Sequence, residues 1–251
     1  MLIVLFGALV IGISLGLMGS GGSILTVPIL HYLVEQPEKV AIAGSLLVVG
    51  SIALIGSIPN MMQRQVHWRS VLWFGVPGMA GTYGGALLSK LVSGTFQLAL
   101  FDAVMLAASV FMLRPPRLDD APHQEKARWK VILDGSLVGV LTGFVGVGGG
   151  FMIVPALVLL GGLSMRLAVG TSLLIIAMKS FSGFFKYLDI LREQDLHLDL
   201  EVLGWFVGAG VVGSLLGGLV SNKIPQNALQ RAFGVLLLLA GLAILGALLF
   251  S

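Results

Sequence analysis

No cysteine occurs in the 251 residues, which removes disulfides, thiolate metal sites and thiol catalysis from consideration. Charge is scarce too: Asp, Glu, Lys and Arg make up 11% of the chain, whereas a water-soluble domain carries about a quarter. No polar stretch exceeds about 20 residues, so no separate soluble catalytic or nucleic-acid-binding domain fits. The four histidines, His31, His67, His123 and His197, never fall within four residues of one another, so zinc spacing is missing. No activated nucleophile and no paired catalytic carboxylates stand out, which leaves an enzyme little chemistry and gives no reason to expect a cofactor. GVGGGF, from Gly146 to Phe151, is not a nucleotide loop, because no strand precedes it and no Lys-Ser/Thr pair follows.

What is present is hydrocarbon and glycine. AVILMFWYC residues make up 57% of the chain, Gly contributes another 35 residues, and mean hydropathy is +1.00. At ~20 apolar residues per crossing, eight crossings use ~160 residues and leave ~90 for connections. The expected fold is therefore an all-α integral membrane protein, since lipid cannot satisfy unpaired backbone groups. The net charge of +3 and pI near 9.4 match the cationic loops that orient such proteins and do not argue for nucleic acid. The apolar N-terminus lacks a basic n-region and its Gly-rich end recurs deep in the chain, so it reads as a membrane segment, not a signal peptide.

Laid on itself at an offset of 127, the chain matches GLMGSGGSILTVP (16 to 28) to GFVGVGGGFMIVP (143 to 155) and VAIAGSLLVVGSIALIG (40 to 56) to LAVGTSLLIIAMKSFSG (167 to 183). At an offset of 132, WFGVPGMAGTYGGALLS (73 to 89) overlies WFVGAGVVGSLLGGLVS (205 to 221). This predicts two four-segment repeats. Residues 1–113 form the N-terminal membrane repeat, 114–128 a polar linker, and 129–251 the C-terminal membrane repeat. Hydrophobic segments are expected at about 2 to 34, 40 to 60, 70 to 90, 95 to 113, 129 to 162, 165 to 187, 199 to 220 and 227 to 250.

The linker holds Arg114, Arg117, Lys126 and Arg128, with Lys130 beside it, and is placed in the cytoplasm. If the first segment of each half crosses, the repeats are parallel and the basic tally is 9 inside against 5 outside. If it turns back at its glycines, the repeats are inverted and the tally is 10 against 4. The inverted version is preferred because inverted repeats explain alternating access.

Gly12/Gly16, Gly81/Gly85, Gly204/Gly208 and Gly213/Gly217 have the small-xxx-small spacing of close helix contacts. The clusters GSGGS (19 to 23) and GVGGG (146 to 150) are different, because each Gly costs a helix about 1 kcal/mol relative to Ala, so the first segment of each half should break there. Pro28 and Pro155 loosen the stretch that follows. Irregular backbone at membrane depth must be buried in protein or line a wet cavity, and turns that open a helix aim N–H groups outward. The expected substrate site is therefore Gly19, Ser20, Gly21, Gly22 and Ser23 with Gly146, Gly148, Gly149 and Gly150. Close-packed kinks without a ligand are the structural alternative.

A G-x-G-G segment running into an apolar stretch with a Pro, carried by both copies quoted above, resembles the TauE/SafE sulfite exporter family over nearly the whole chain. The resemblance implies movement of a small sulfur-containing anion (sulfite, thiosulfate, sulfoacetate or a related organosulfur compound) across the bacterial inner membrane.

Lys179 lies in mid-segment, where an intramembrane cation is expensive unless it faces a cavity or a partner. It is a substrate-binding candidate; an ion pair with Asp102 or snorkelling is the alternative. Asp102 is a proton-coupling candidate, and Asp134 a weaker one nearer the linker. Ser45 and Ser172 occupy the same place in the two halves, beside Gly44 and Thr171, and Ser45, Thr171 and Ser172 join the candidate site as hydroxyls for an oxyanion. Bonding back to their own helix is the alternative for each. Trp68, Trp73, Trp129 and Trp205 sit near segment ends as interface anchors. The expected partners are the anion and the bilayer, without nucleic acid; self-association stays open. An alternating-access carrier is the leading reading, and an anion channel with the broken helices as its filter is the rival.

Overall fold

A computed structural model describes residues 2–20, 22–113, 128–145, 153–154, 156–221 and 224–250, all helix and connecting turn. In chain order the helices are α1 (Leu2–Met18), α2 (Gly22–Pro28), α3 (Glu38–Met62), α4 (Trp68–Leu88), α5 (Gly94–Leu113), α6 (Arg128–Val145), α7 (Met165–Glu193), α8 (Leu200–Ser221) and α9 (Gln226–Phe250). Four of them, α3, α4, α7 and α8, are long and apolar enough to cross a bilayer, and shorter apolar helices accompany them. The observed bounds fall within two residues of most expected segments. α7 overshoots its expected end, running six residues past Tyr187, and Asp189 on the extension pairs with Lys186.

The segment expected at 2 to 34 does not run through as one rod. α1 ends at Met18, and α2 returns alongside it: a Cβ on Gly22 would overlap the Ile11 carbonyl oxygen, and one on Gly7 would lie 3.3 Å from Ile29. At the tip Gly19 has φ +70°, the left-handed cap that glycine adopts without steric penalty, and its N–H donates to Leu15 O at 2.7 Å. Beyond Pro28 the helix widens into a π turn (Ile29–Leu33), closed by Val34 N–H to Ile29 O at 3.1 Å. A second π turn, Val71–Gly75, precedes Pro77 inside α4.

Glycine contacts give the direction of each helix. Along α1 and α8, Gly12 meets Gly210 and Gly16 meets Ser214 and Gly218, so the two run parallel. Along α4 and α6, Gly135 meets Phe74 and Gly143 meets Thr82, again parallel. α3 and α7 form the most enclosed pair and run antiparallel, with Gly50 against Ser180 and Gly183 against Leu46. α8 packs parallel to α3 (Gly44 on Leu203, Gly56 on Ser214), and α4 packs parallel to α7 (Gly75 on Ile175, Gly183 on Thr82). α5 and α9 pair antiparallel through Gly234 on Leu113 and Gly241 on Leu106. Consecutive helices α6 and α7 thus point the same way, as do α1 and α3.

Three of the four small-xxx-small pairs are close contacts: Gly12/Gly16, Gly81/Gly85 and Gly213/Gly217 each leave no room for a Cβ against a neighbouring backbone. Gly204/Gly208 is a correction. Nothing lies within 4 Å of a Cβ at either position, because α8 turns that face away from both α1 and α3.

Candidate functional site

Of the expected anion cluster, Gly21, Gly146, Gly148, Gly149 and Gly150 lie outside the described residues, as do Pro155 and most of the linker. Gly19, Ser20, Gly22 and Ser23 are buried at the tip of the α1–α2 hairpin. α7 closes over that tip: a Cβ on Gly19 would lie 2.8 Å from Val169 Cα, and the single O–H of Ser172 is shared between Gly19 O at 2.9 Å and Val169 O at 2.8 Å. Gly19, Ser20, Gly22, Ser23 and Ser172 therefore come together. Thr171 instead accepts from His67 N–H at 2.9 Å and ties the α3–α4 loop to α7.

The hydroxyl donors are already engaged with backbone. Ser23 Oγ donates to Ser20 O at 2.8 Å, Ser45 Oγ to Ile42 O at 2.8 Å, and Ser20 Oγ lies 3.5 Å from Met18 O. A serine has one O–H, so in this conformation these side chains offer an anion only lone pairs until the hydroxyls rotate. Ser45 and Ser172 are also kept apart. On the antiparallel α3/α7 pair Ser45 lies level with residue 185, 13 residues from Ser172, or roughly 20 Å at 1.5 Å per residue. One small oxyanion cannot touch both.

Lys179 stands at the midpoint of α7, 14 residues from either end and about 21 Å along the axis, too deep for its stem to snorkel. It is fully buried. Its ammonium lies 4.6 Å from the centroid of the Phe74 ring on α4 and donates to Gly135 O on α6 at 3.4 Å. A Cβ on Gly78 would overlap its Cε, so the side chain occupies space that a bare backbone leaves. It makes no ion pair among the described residues. Asp102 packs elsewhere, against Gly241 of α9, with Oδ1 buried and without a hydrogen-bond partner among the described residues. The Lys179–Asp102 pair, the alternative to a substrate-binding role, is therefore absent among the described residues.

A second polar cluster was not foreseen. Lys39 Nζ donates to Ser89 O at 2.8 Å, to Val92 O at 3.3 Å and to Gln97 Oε1; Gln97 Nε2 donates to Tyr187 OH at 2.9 Å and to Phe144 O. Tyr187 OH also donates to Phe144 O at 3.3 Å. The last carbonyls of a helix lack intrahelical donors, so this cluster caps α6 just before the second glycine run. Gln97 in an apolar segment was the one readable signal. Its partners come from α3, α6 and α7 and share no local pattern with it.

All four tryptophans are exposed on the outside of the bundle. No group of His, Cys, Asp and Glu capable of holding a metal occurs among the described residues.

Comparison with known proteins agrees with this architecture. Residues 4–244 match the family model described as "Sulfite exporter TauE/SafE". A probable membrane transporter protein of Xylella fastidiosa (strain 9a5c) is 33% identical over 237 residues, covering 91% of this chain and 88% of the relative. Probable membrane transporter protein YunE of Bacillus subtilis (strain 168) is 28% identical, covering 97% and 96%, and a probable membrane transporter protein of Methanocaldococcus jannaschii is 25% identical, covering 94% and 92%. No solved structure matches significantly. A helical bundle with a buried re-entrant hairpin, matched along nearly its whole length, belongs to the TauE/SafE sulfite exporter family and is a multi-pass membrane transporter, not an enzyme.

Proposed function

We propose that the protein is a secondary transporter moving a small sulfur-containing anion across the bacterial inner membrane, by alternating access between two inverted four-segment repeats, 1–113 and 129–251, joined by the linker 114–128. Several correspondences support the duplication. The offset of 127 carries the π turn Ile29–Leu33 onto Ala156–Leu160 and the bond Gln36 N–H to Leu30 O onto Leu163 N–H to Leu157 O. It also carries left-handed Glu35 onto left-handed Gly162. The parallel pair α1/α8 exchanges with the parallel pair α6/α4, and α3/α7 maps onto itself. α1, α3, α4 and α5 point opposite to α6, α7, α8 and α9 respectively, an arrangement that supports alternating access between inverted repeats.

Lys179 carries the functional reading. A buried ammonium in mid-membrane with one long hydrogen bond and an aromatic face keeps donors for an anion, and buried charge in a transporter is functional by default. Family membership supplies the sulfur chemistry. The test is flux of radiolabelled sulfite, thiosulfate and sulfoacetate in proteoliposomes. Wild type should saturate for at least one of them and be trans-stimulated. Lys179→Ala should lose at least tenfold in Vmax/KM, about 1.4 kcal/mol, at equal reconstitution. Unaltered kinetics in Lys179→Ala would remove the cation from the mechanism, and non-saturating flux without trans-stimulation would favour the channel.

A further inference from the structure

We infer that the anion site is one-sided: the corner between α4, α6 and α7 is cationic and takes the anion, while the mirrored corner between α8, α1 and α3 is filled by Ile52. This rests on the two-repeat reading and on Lys179 as the anion contact, and adds where the pathway runs and how many cations it holds. Moved by the same offsets, Lys179 falls on Ile52, Gly135 on Ala8, Gly78 on Gly210 and Phe74 on Phe206.

The structure builds the niche twice. A Cβ on Gly78 would overlap Lys179 Cε and lie 3.2 Å from Gly135 O; a Cβ on Gly210 would overlap Ile52 Cδ1 and lie 3.5 Å from Ala8 O. Both niches are closed to solvent, with Lys179, Ile52 and Ala8 all at 0% exposure. What fills them differs in one respect that matters. Ile52 is hydrocarbon among hydrocarbon and has nothing left to satisfy. Lys179 has three N–H donors and, among the described residues, one 3.4 Å acceptor and one ring face. A buried ammonium so poorly matched is stabilised by a strong acceptor, and a small oxyanion carries the complementary charge. Gly78 becomes the residue that admits the cation, and one anion binds per chain, off the pseudo-twofold axis.

The cysteine-free chain allows a test that needs no knowledge of the natural substrate. Lys179→Cys and Ile52→Cys are exposed in membranes to methanethiosulfonate ethylsulfonate, a small anion that forms a mixed disulfide with the thiol and releases methanesulfinate, and labelling is followed by intact mass. Lys179→Cys should label at least tenfold faster than Ile52→Cys. Equal rates, faster labelling of Ile52→Cys, or no labelling at either position overturns one-sidedness. If a cysteine variant fails to fold, Gly78→Ala and Gly210→Ala apply the same steric insult to the two niches. Gly78→Ala should raise KM for thiosulfate or sulfite at least tenfold and Gly210→Ala should leave KM within twofold; equal effects overturn the inference. Normal transport by Lys179→Ala would sink the anion-contact reading instead, so the two failures are distinguishable.

Discussion

At the scale of single residues, the tip of the first hairpin is the most constrained position. Gly19 is left-handed, and its missing Cβ would sit 2.7 Å from Ser172 Oγ and 2.8 Å from Val169 Cα. An alanine there combines a left-handed penalty of about 1–2 kcal/mol with overpacking of about 1–3 kcal/mol. Gly19→Ala should therefore lower the melting temperature of the detergent-purified protein by an amount equivalent to about 2–5 kcal/mol. Adding Ser172→Ala should recover part of that loss by removing Oγ while leaving Val169 in place, so a strictly additive double mutant would show that the overlap is not the cause. The break at Gly19 was legible because backbone propensity is local. That Ser172, 153 positions away, would hold it was not, because nothing in the sequence around either residue names the other.

At the scale of elements, spacing identified glycines able to pack but not which of them do. Lipid tails are as apolar as leucine, so membrane helices associate by close van der Waals fit. The fit depends on which face meets a neighbour. Gly213 meets Leu9 O of α1, whereas Gly204, on the same helix, meets nothing. Gly213→Ala should destabilise by about 1–3 kcal/mol through overpacking. Gly204→Ala should be neutral or stabilise by up to about 1 kcal/mol through helix propensity. Thermal unfolding of the two variants side by side checks this, and equal losses would contradict the packing of α8.

At the scale of the whole molecule, the hairpin decides the sidedness of everything after it. Because α2 returns along α1, the ends of α1 and α9 that hold Leu2 and Phe250 lie at one face, with Glu38, Gly94, Val145 and Leu200. The opposite face holds Met62, Leu113, Arg128, Met165 and Gln226. Basic residues of the described segments divide accordingly: Arg64, Arg69, Arg128, Lys130, Arg166 and Arg231 belong to the second face, while Lys39, Lys90, Lys186 and Arg192 share the first with Glu35, Glu38, Asp189, Glu193, Asp195, Asp199 and Glu201. Positive charge marks the cytoplasmic side. A fluorescent reporter inserted in the linker should be bright in the cytoplasm. Alkaline phosphatase fused after Ser251 should be active outside, and a bright cytoplasmic C-terminal reporter would reverse the topology.

From its sequence alone the chain was bound to be helical and membrane-embedded, broken within the glycine cluster 19 to 23 and burdened with a cation at residue 179, because hydropathy and backbone propensity are summed over neighbours along the chain. Tertiary structure alone decided that the first segment folds back, that Ser45 and Ser172 stand roughly 20 Å apart, that Lys179 faces Phe74 and Gly135, and that Lys39, Gln97 and Tyr187 cap α6. Each of those outcomes depends on contacts between residues distant in the chain, and in a bilayer it is shape and hydrogen bonding between helices, not greasiness, that chooses the partner.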